Sequence, residues 1–184
     1  MAASSFITNQ YSSSQFVESA GAVLFSTTTT TPDGRICLLH NLSSGEWLLA
    51  KGRRNVNETH QAAAVREVTE ETGFRCRLLP LKMETRAPAA NEDADIEDKA
   101  RVYEGITEPF MVSVRELGNG SVKFIWWFVA IVVLQPDEEP DSLGAESGFS
   151  SRFLRFDEAL ERLTFETDRE VVRRAILILG DQGD

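Results

Sequence analysis

GRRNVNETHQAAAVREVTEETGF, residues 52–74, is the most informative stretch of this 184-residue sequence. From residue 57 to residue 72 its content of Ala, Glu and Val predicts a helix, with Asn57 as the N-cap and Gly73 as the residue that ends it. Apolar, β-prone residues lie on both sides of this stretch. The pattern therefore predicts a basic glycine-containing loop and an acidic helix inserted between two strands.

Three acidic residues of this helix, Glu67, Glu70 and Glu71, fall on one face at about 100° per residue. Each pair of like charges costs about 0.3 kcal/mol. The three also lie in the last turns, where the helix dipole disfavours negative charge. A bound cation removes this conflict, and clustered carboxylate oxygens suit Mg²⁺ or Mn²⁺ rather than zinc. A solvated acidic face is the alternative, and these three residues alone do not exclude it.

The whole stretch resembles the Nudix box, G-x5-E-x7-R-E-U-x-E-E-x-G-U, in which U is apolar. Every fixed position is matched, by Gly52, Glu58, Arg66, Glu67, Val68, Glu70, Glu71, Gly73 and Phe74. The resemblance covers roughly residues 19–180. It implies an α/β (α+β) fold, the α/β/α sandwich of the Nudix hydrolases with a mixed β-sheet between helices. One departure is Ala50, where many members have proline, but this removes no ligand.

The resemblance implies a role for each carboxylate. Glu67 and Glu71 are expected to be metal ligands, and the carbonyl of Gly52 is expected to complete the metal sphere. Glu70 would be a third ligand or the catalytic proton acceptor for the attacking water. The implied reaction is hydrolysis of a phosphoanhydride bond, with Mg²⁺ as cofactor and Mn²⁺ as its substitute. Glu58 and Arg66 would stabilise the loop and the helix.

The cations around the first glycine of the box bear on the substrate. Lys51, Arg53 and Arg54 bracket Gly52 in a chain whose net charge is −10. Arginine offers two parallel contacts to a phosphate group and lysine offers a point charge, so these residues are candidates for binding a densely phosphorylated substrate. A solvated basic turn that balances the nearby glutamates is the alternative.

Three shorter stretches point to a narrower group: KGRR at 51–54, TRAP at 85–88 and EGITEPFMV at 104–112. They resemble fungal Nudix proteins related to diphosphoinositol polyphosphate and diadenosine polyphosphate hydrolases, a group that includes effectors of plant-infecting fungi. This resemblance implies an enzyme that converts inositol pyrophosphates to inositol phosphate and orthophosphate.

Two other functions stay open. The first is a dinucleoside polyphosphate or nucleotide-sugar pyrophosphohydrolase, in which Trp126 or Trp127 stacks on a base. Adjacent residues of a strand point to opposite faces, so at most one of these two rings faces a cleft. The second is a non-catalytic sensor that binds such ligands. The intact set of carboxylates counts against the sensor.

The charge and the cysteines exclude several classes of partner. A net charge of −10 disfavours an extended nucleic-acid track and an anionic membrane surface, so we expect neither as a partner. Cys37 and Cys76 are the only cysteines and are expected to be reduced. Residues 1–15 carry no signal-peptide pattern, which predicts a cytoplasmic protein in this form. If the protein is an effector, it would instead be secreted into a host cell or act inside one.

The rest of the chain predicts a flexible N-terminal arm at 1–15 followed by one domain at 16–184. Further strands are expected at 19–27, 35–42, 46–50, 74–82, 109–117, 121–134 and 151–156. Helices are expected at 157–163 and 167–179. A hairpin turn is predicted at Asp33-Gly34, and two acidic loops are predicted at 84–108 and 135–147.

Overall fold

A computed structural model of the protein describes residues 6–26, 34–90, 92, 97–133 and 148–183. The strands are β1 (Phe16–Phe25), β2 (Arg35–Asn41), β3 (Trp47–Leu48), β4 (Lys51–Arg53), β5 (Cys76–Leu78), β6 (Leu81–Thr85), β7 (Arg101–Ile106), β8 (Met111–Gly118), β9 (Ser121–Val132) and β10 (Phe149–Arg155). The helices are α1 (His60–Thr72), α2 (Phe156–Arg162) and α3 (Glu166–Gly180), followed by a short 3-10 turn at Asp181–Gly183.

A mixed sheet of eight strands forms the centre of the fold. Its main order is β10-β2-β1-β9-β5, while β3 pairs with β2, β4 with β1 and β8 with β9. β1 and β9 run parallel, from Phe16 opposite Val122 to Phe25 opposite Ile131. The other pairs of this sheet are antiparallel. Because α1 packs on one face and α2 and α3 pack on the other, the predicted α/β/α sandwich is confirmed.

The two faces of β1 supply two separate cores. Val23 and Phe25 pack with α2 and α3, whereas Ala20, Ala22 and Leu24 pack with α1. From Ala20 to Phe25, β1 is therefore buried on both sides, which explains the uninterrupted apolar run in this part of the strand. The helix α1 contributes small residues to its side of the sheet, namely Ala63 and Ala64 together with Val68.

The two adjacent tryptophans of β9 point to opposite faces, as predicted. Trp127 is 1% exposed and lies in the core beneath α3. Its Nε1 donates a hydrogen bond to Ser113 Oγ at 3.0 Å. Trp126 is half-buried on the α1 side, where its ring lies 5.0 Å from the ring of His60. Of these two tryptophans, only Trp126 is therefore placed to contact a ligand.

The start of α1 differs from the prediction. The N-cap is Thr59 rather than Asn57, and its Oγ1 accepts a hydrogen bond from the backbone N–H of Ala62 at 3.1 Å. Asn57 instead adopts a left-handed backbone, with φ at 65°, in the turn before the helix. Both residue types are good caps, so local sequence does not separate them. The predicted end is confirmed, because Gly73 has φ at 77°.

The region after α1 is more structured than predicted. The expected strand at 74–82 is divided around Pro80 into β5 and β6. The expected loop at 84–108 contains β7, which pairs with β6 in a second, two-stranded sheet. Leu81 and Met83 turn alternately into the core from β6, so this hairpin covers the sheet on the α3 side. The predicted loop at 135–147 and the turn residue Asp33 lie outside the described residues.

The N-terminal segment is described from Phe6 onward. The carbonyl of Gln15 accepts a hydrogen bond from the backbone N–H of Val122 at 2.8 Å, so the segment meets the first residues of β9. The flexible arm and the domain boundary at residue 16 stay predictions. Among the residues that the structure describes, no helix is long and apolar enough to cross a membrane.

Candidate active site

Gly52 lies directly against the carboxylate of Glu67. In the pairing of β4 with β1, Gly52 is opposite Ala20, which belongs to the core on the α1 side. This register turns position 52 toward α1. A Cβ atom at this position would overlap the carboxylate of Glu67. Glycine therefore allows the Glu67 carboxylate to lie on the loop backbone.

Glu71 meets the same part of the loop from the next turn of α1. Its Oε2 accepts a hydrogen bond from the backbone N–H of Lys51 at 2.8 Å. Glu67 and Glu71 are four residues apart on the helix and thus share a face. Their carboxylates both contact the Lys51–Gly52 step.

Arg66 connects the loop to the acidic face of the helix. Its Nε and Nη2 donate to the two oxygens of Glu58, at 2.8 and 2.9 Å. Nη2 also donates to the carbonyl of Arg53 at 3.0 Å. Nη1 donates to Glu67 at 2.7 Å and to Glu70 at 3.0 Å. One guanidinium thus holds the loop and reduces the repulsion within the acidic face, which agrees with the structural role expected of Glu58 and Arg66.

The pair of Glu58 with Arg66 is strongly ionised. Hydrogen bonds from Arg66 lower the pKa of Glu58 to about 2, and the backbone N–H of Asn55 adds a further hydrogen bond at 2.8 Å. The same contact with Glu58 raises the pKa of Arg66. The side chains are only 14% and 26% exposed, so this pair is shielded from solvent and anchors the turn before α1.

The glutamates of the acidic face differ in their access to solvent. The Glu70 side chain is 58% exposed, whereas that of Glu67 is 13% exposed. Glu67 is therefore placed for contact with the loop backbone. Glu70 is placed for contact with water, which suits a proton acceptor.

The donor set fits a hard divalent cation. Glu67 and Glu71 meet the loop at Gly52, so two carboxylates and a backbone carbonyl are available from neighbouring positions. Oxygen donors of this kind suit Mg²⁺ or Mn²⁺. Within the described ranges, no group of three or more His, Cys, Asp or Glu side chains converges on one point as it stands. Arg66, which contacts both Glu67 and Glu70, supplies the positive charge in this arrangement.

The cysteines lie apart from this site. Cys37 is buried and Cys76 is half-buried, and both are free thiols. Burial raises the pKa of Cys37 to about 12 and that of Cys76 to about 11. Both thiols are therefore protonated at neutral pH and unsuited to metal binding in that form.

The three cations predicted to bind substrate fall into two groups. Lys51 and Arg53 alternate with Gly52 along β4 and so point to the side of the sheet away from α1. Arg54 instead donates from Nη2 and Nε to Glu18, at 2.7 and 3.1 Å, and from Nη1 to the carbonyl of Glu58 at 3.0 Å. Its guanidinium is bound within the protein, which differs from the expectation that all three face a ligand.

Other charged residues near Lys51 and Arg53 carry no signal in the sequence motif. Lys123 of β9 is half-buried, and its pKa is lowered by burial and further by Lys51, Arg115 and Arg53. Asp168 of α3 is only 3% exposed, and burial raises its pKa. These residues come together only through the pairing of β8 with β9 and the packing of α3, so local sequence patterns could not have found them.

Substitution of Gly52 by alanine tests the contact between loop and helix. We expect Gly52→Ala to lower kcat by about 100-fold or more, because the new methyl group displaces the Glu67 carboxylate. The displaced atoms are the end of a flexible side chain, so the thermal unfolding midpoint should change little. Steady-state kinetics and a thermal melt measure both quantities. Near-parent turnover in the Gly52→Ala variant would show that the position of Glu67 on the loop is not required.

Comparisons with known proteins agree with this geometry. A model of the NUDIX domain matches residues 17–175. An Ap4A hydrolase of C. elegans, solved as a binary complex, is similar with a TM-score of 0.57 and 15% identity, over 90% of this chain and 98% of that chain. A NUDIX hydrolase from Nitrosomonas europaea is similar with a TM-score of 0.54 and 16% identity, over 86% of each chain.

At these identities the solved structures establish a shared fold and nothing about substrate. The family model covers most of the chain, including the loop and helix that carry Gly52, Glu67, Glu70 and Glu71. With the fold and the motif in agreement, the chain belongs to the NUDIX family, as a hydrolase of phosphoanhydride bonds in small phosphorylated molecules.

Proposed function

We propose that this Nudix hydrolase is metal-dependent and acts on diphosphoinositol polyphosphates, the inositol pyrophosphates, and releases inositol phosphate and orthophosphate. The main observation in support is the placement of Lys51 and Arg53. They flank Gly52 on β4, beside the carboxylates, and neither side chain forms an ion pair with another described residue. In a chain of net charge −10, unpaired cations at this position favour a ligand with many phosphates.

The carboxylates have distinct roles in this proposal. Glu67 and Glu71, with the carbonyl of Gly52, would hold Mg²⁺ or Mn²⁺. The bound cation would neutralise phosphate oxygens and acidify the attacking water. Glu70, the exposed member, accepts the proton of that water or serves as a third ligand. Water adds to the terminal phosphorus, the bridging P–O bond breaks, and the electron pair leaves with the inositol phosphate.

The roles we propose for Lys51, Arg53 and Arg54 differ from the sequence-based expectation that all three bind substrate. Lys51 and Arg53 contact substrate phosphates, because their side chains lie on the side of β4 that faces away from α1. Arg54 supports the loop through Glu18, and this ion pair keeps its guanidinium away from a phosphate. The resemblance to fungal effectors would place the reaction inside a host cell, and that location stays a prediction, as does a cytoplasmic one.

A dinucleoside polyphosphate is the second candidate, and a cavity on the α1 side favours it. This cavity of about 270 Å³ is lined by Tyr11, Phe16, Glu18, Phe124 and Trp126. Its aromatic rings could stack on a base. In addition, Nε1 of Trp126 is buried without a hydrogen-bond partner among the described residues. A nucleotide-sugar substrate would use the same cavity. A sensor without activity would not need Glu67, Glu70 and Glu71 together.

The test is a substrate panel in Mg²⁺, in which released orthophosphate is compared with released nucleotide. We expect inositol pyrophosphates to yield orthophosphate, with activity lost in EDTA and restored by Mg²⁺ or Mn²⁺. Replacing both Lys51 and Arg53 by Ala should lower kcat/KM for inositol pyrophosphates by about 10²- to 10⁴-fold, at about 1.5–3 kcal/mol for each charged contact. Dinucleoside polyphosphates, which carry fewer charges, should be affected much less.

Trp126→Ala is the matched comparison, because it alters the aromatic cavity and leaves the cations in place. Under the proposal it changes inositol pyrophosphate turnover little. A parent enzyme that ignores inositol pyrophosphates, or a larger loss from Trp126→Ala than from the double variant, would favour the nucleotide substrate. Full activity in EDTA would contradict a metal-dependent reaction on either substrate.

A further inference from the structure

We propose that Arg115 of β8 and Lys123 of β9 form, with Lys51 and Arg53, an extended phosphate-binding surface on the face of the sheet opposite α1. We call these four residues the cationic face. The inference deepens the proposed function and rests on it, since it assigns two further residues that determine specificity for a substrate with several phosphate groups.

Strand pairing places the four side chains together. Arg115 is directly opposite Lys123 in the pairing of β8 with β9. On the other side of β9, β1 aligns Lys51 and Arg53 of β4 with the same face of the sheet. This is the face on which Trp127 is buried further along β9. Side chains directly opposite on neighbouring strands share a face, so the four cations form one surface.

The charges of the cationic face are not paired with carboxylates of the described residues by direct ion pairs. None of its four members forms an ion pair with another residue in the parts of the chain that the structure describes. Isolated cations such as Arg77 and Arg152 also lack an ion pair with any described residue, so the distinguishing feature of the cationic face is that four such residues lie together. The chain has 29 acidic residues against 19 Lys and Arg, so acidic partners are plentiful. Four clustered cations without such an ion pair therefore indicate an anionic ligand.

Lys123 shows the repulsion among these clustered charges. It is half-buried, and its pKa is lowered by burial and by the three other members of the cationic face. Glu71 acts in the opposite direction on the same ammonium group. Asp168 of α3 lies within the influence of Lys51 and Arg115, but it accepts a hydrogen bond from the backbone N–H of Leu49 and pairs with neither of them among the described contacts.

The cationic face is continuous with the carboxylate site. Glu71 contacts the backbone of Lys51 and also influences Lys123, so it lies where the two sites meet. From β4 through β1 and β9 to β8, three strand spacings of about 4.8 Å give a width of roughly 14 Å. A substrate cleaved beside Glu70 could place further phosphates across this width. A compact, highly phosphorylated ring suits this shape, whereas a linear chain would contact only part of it.

The experiment compares two double variants that remove the same charge. In the first, Arg115→Gln is combined with Lys123→Gln. The control combines Arg77→Gln with Arg152→Gln, two exposed arginines of the same sheet. Arg77 lies opposite Ile131 of β9, eight residues beyond Lys123, which corresponds to about 26 Å along the strand.

We expect the first variant to raise KM for inositol pyrophosphates by about 100-fold with little change in kcat, because the contacts hold ground and transition states alike. Its affinity for inositol hexakisphosphate, measured by titration calorimetry, should fall by a similar factor, and the dependence of affinity on salt should weaken. The control variant should match the parent. The melting temperature of the first variant should stay level or rise, since like charges are removed.

The outcomes separate this inference from the proposed function. A parent that hydrolyses inositol pyrophosphates, with a first variant that binds and turns them over equally well, overturns the cationic face alone. Equal losses in both double variants would show a general charge effect and also overturn it. A parent that cleaves only dinucleoside polyphosphates contradicts the proposed substrate. In that case the Arg115→Gln/Lys123→Gln variant should still bind inorganic tripolyphosphate more weakly than the control variant does. Equal affinities of the two variants would overturn the assignment of the cationic face as well.

Discussion

Glu67→Gln and Glu70→Gln are each expected to lower kcat by about 10²- to 10⁴-fold while the protein stays folded. Glutamine keeps the shape of the side chain but loses the negative charge that binds a cation or accepts a proton. Glu67 lies against Gly52 and Glu70 faces solvent, so the two variants test separately the roles proposed for these two residues.

The stability of these variants distinguishes chemistry from structure. Glu70 is 58% exposed, and its contact with Arg66 is a surface ion pair, which typically contributes about 0.5 kcal/mol. Loss of a like charge from the acidic face offsets part of this cost. We therefore expect the thermal midpoints to stay close to that of the parent. Glu161→Gln, on the exposed surface of α2, is the control for the same chemical change. Unfolded variants whose folded fraction turns over normally would show that these glutamates are structural.

The second large effect concerns stability. Arg66→Ala is expected to lower the free energy of unfolding by about 3 kcal/mol, because it leaves the shielded carboxylates of Glu58 and Glu67 without their partner. It also removes the hydrogen bond to the carbonyl of Arg53, which holds the loop. Urea unfolding at neutral pH measures the loss.

The control for this variant is Arg86→Ala, which breaks an ion pair with Asp98 whose members are 67% and 76% exposed. Its effect should stay below about 1 kcal/mol. Arg66→Lys should recover only part of the loss, since lysine cannot donate to both oxygens of Glu58 at once. An Arg66→Ala protein as stable as the Arg86→Ala protein would show that the network carries little stability.

The pH dependence gives an independent check. The pKa of Glu58 is lowered from 4.5 to about 2 in the folded protein. Its contribution to stability is therefore complete above about pH 4.5 and is lost as the pH falls from there toward 2. The difference in stability between parent and Arg66→Ala should narrow over the same range. A constant difference down to about pH 2.5 would assign the effect to packing rather than charge.

The features of the fold and site that can be predicted from the sequence depend on residues that are close together in the chain. The common face of Glu67, Glu70 and Glu71 follows from helix geometry alone. The resemblance to the Nudix box also predicts the loop at Gly52 and the α/β/α sandwich. Runs of apolar residues were sufficient to predict β1, β2 and β9. The boundary at Thr59 and the division at Pro80 are the kind of detail that competing local signals leave open.

The missed parts depend on contacts between distant segments. The hairpin of β6 and β7 could not be predicted from the sequence, because a segment rich in acidic residues, alanine and proline separates the two short strands. Arg54 is an exposed basic residue by sequence, and only the fold brings Glu18 to it. Arg115, Lys123 and Lys51 lie on three different strands, β8, β9 and β4, which β1 joins, so their common face exists only after the sheet has formed.

The parallel pairing of β1 with β9 also determines when α1, the helix that carries Glu67, Glu70 and Glu71, can complete its packing on the sheet. The two central strands are far apart in the sequence, at Phe16–Phe25 and Ser121–Val132, and α1 packs against residues of both, including Ala22 of β1 and Phe128 of β9. During synthesis, the glutamate helix leaves the ribosome long before residue 121 does. Pairings of such high contact order form in milliseconds to seconds, whereas a helix forms in about a microsecond. Until β9 arrives, the helix of a nascent chain that carries Glu67, Glu70 and Glu71 therefore lacks part of its packing surface.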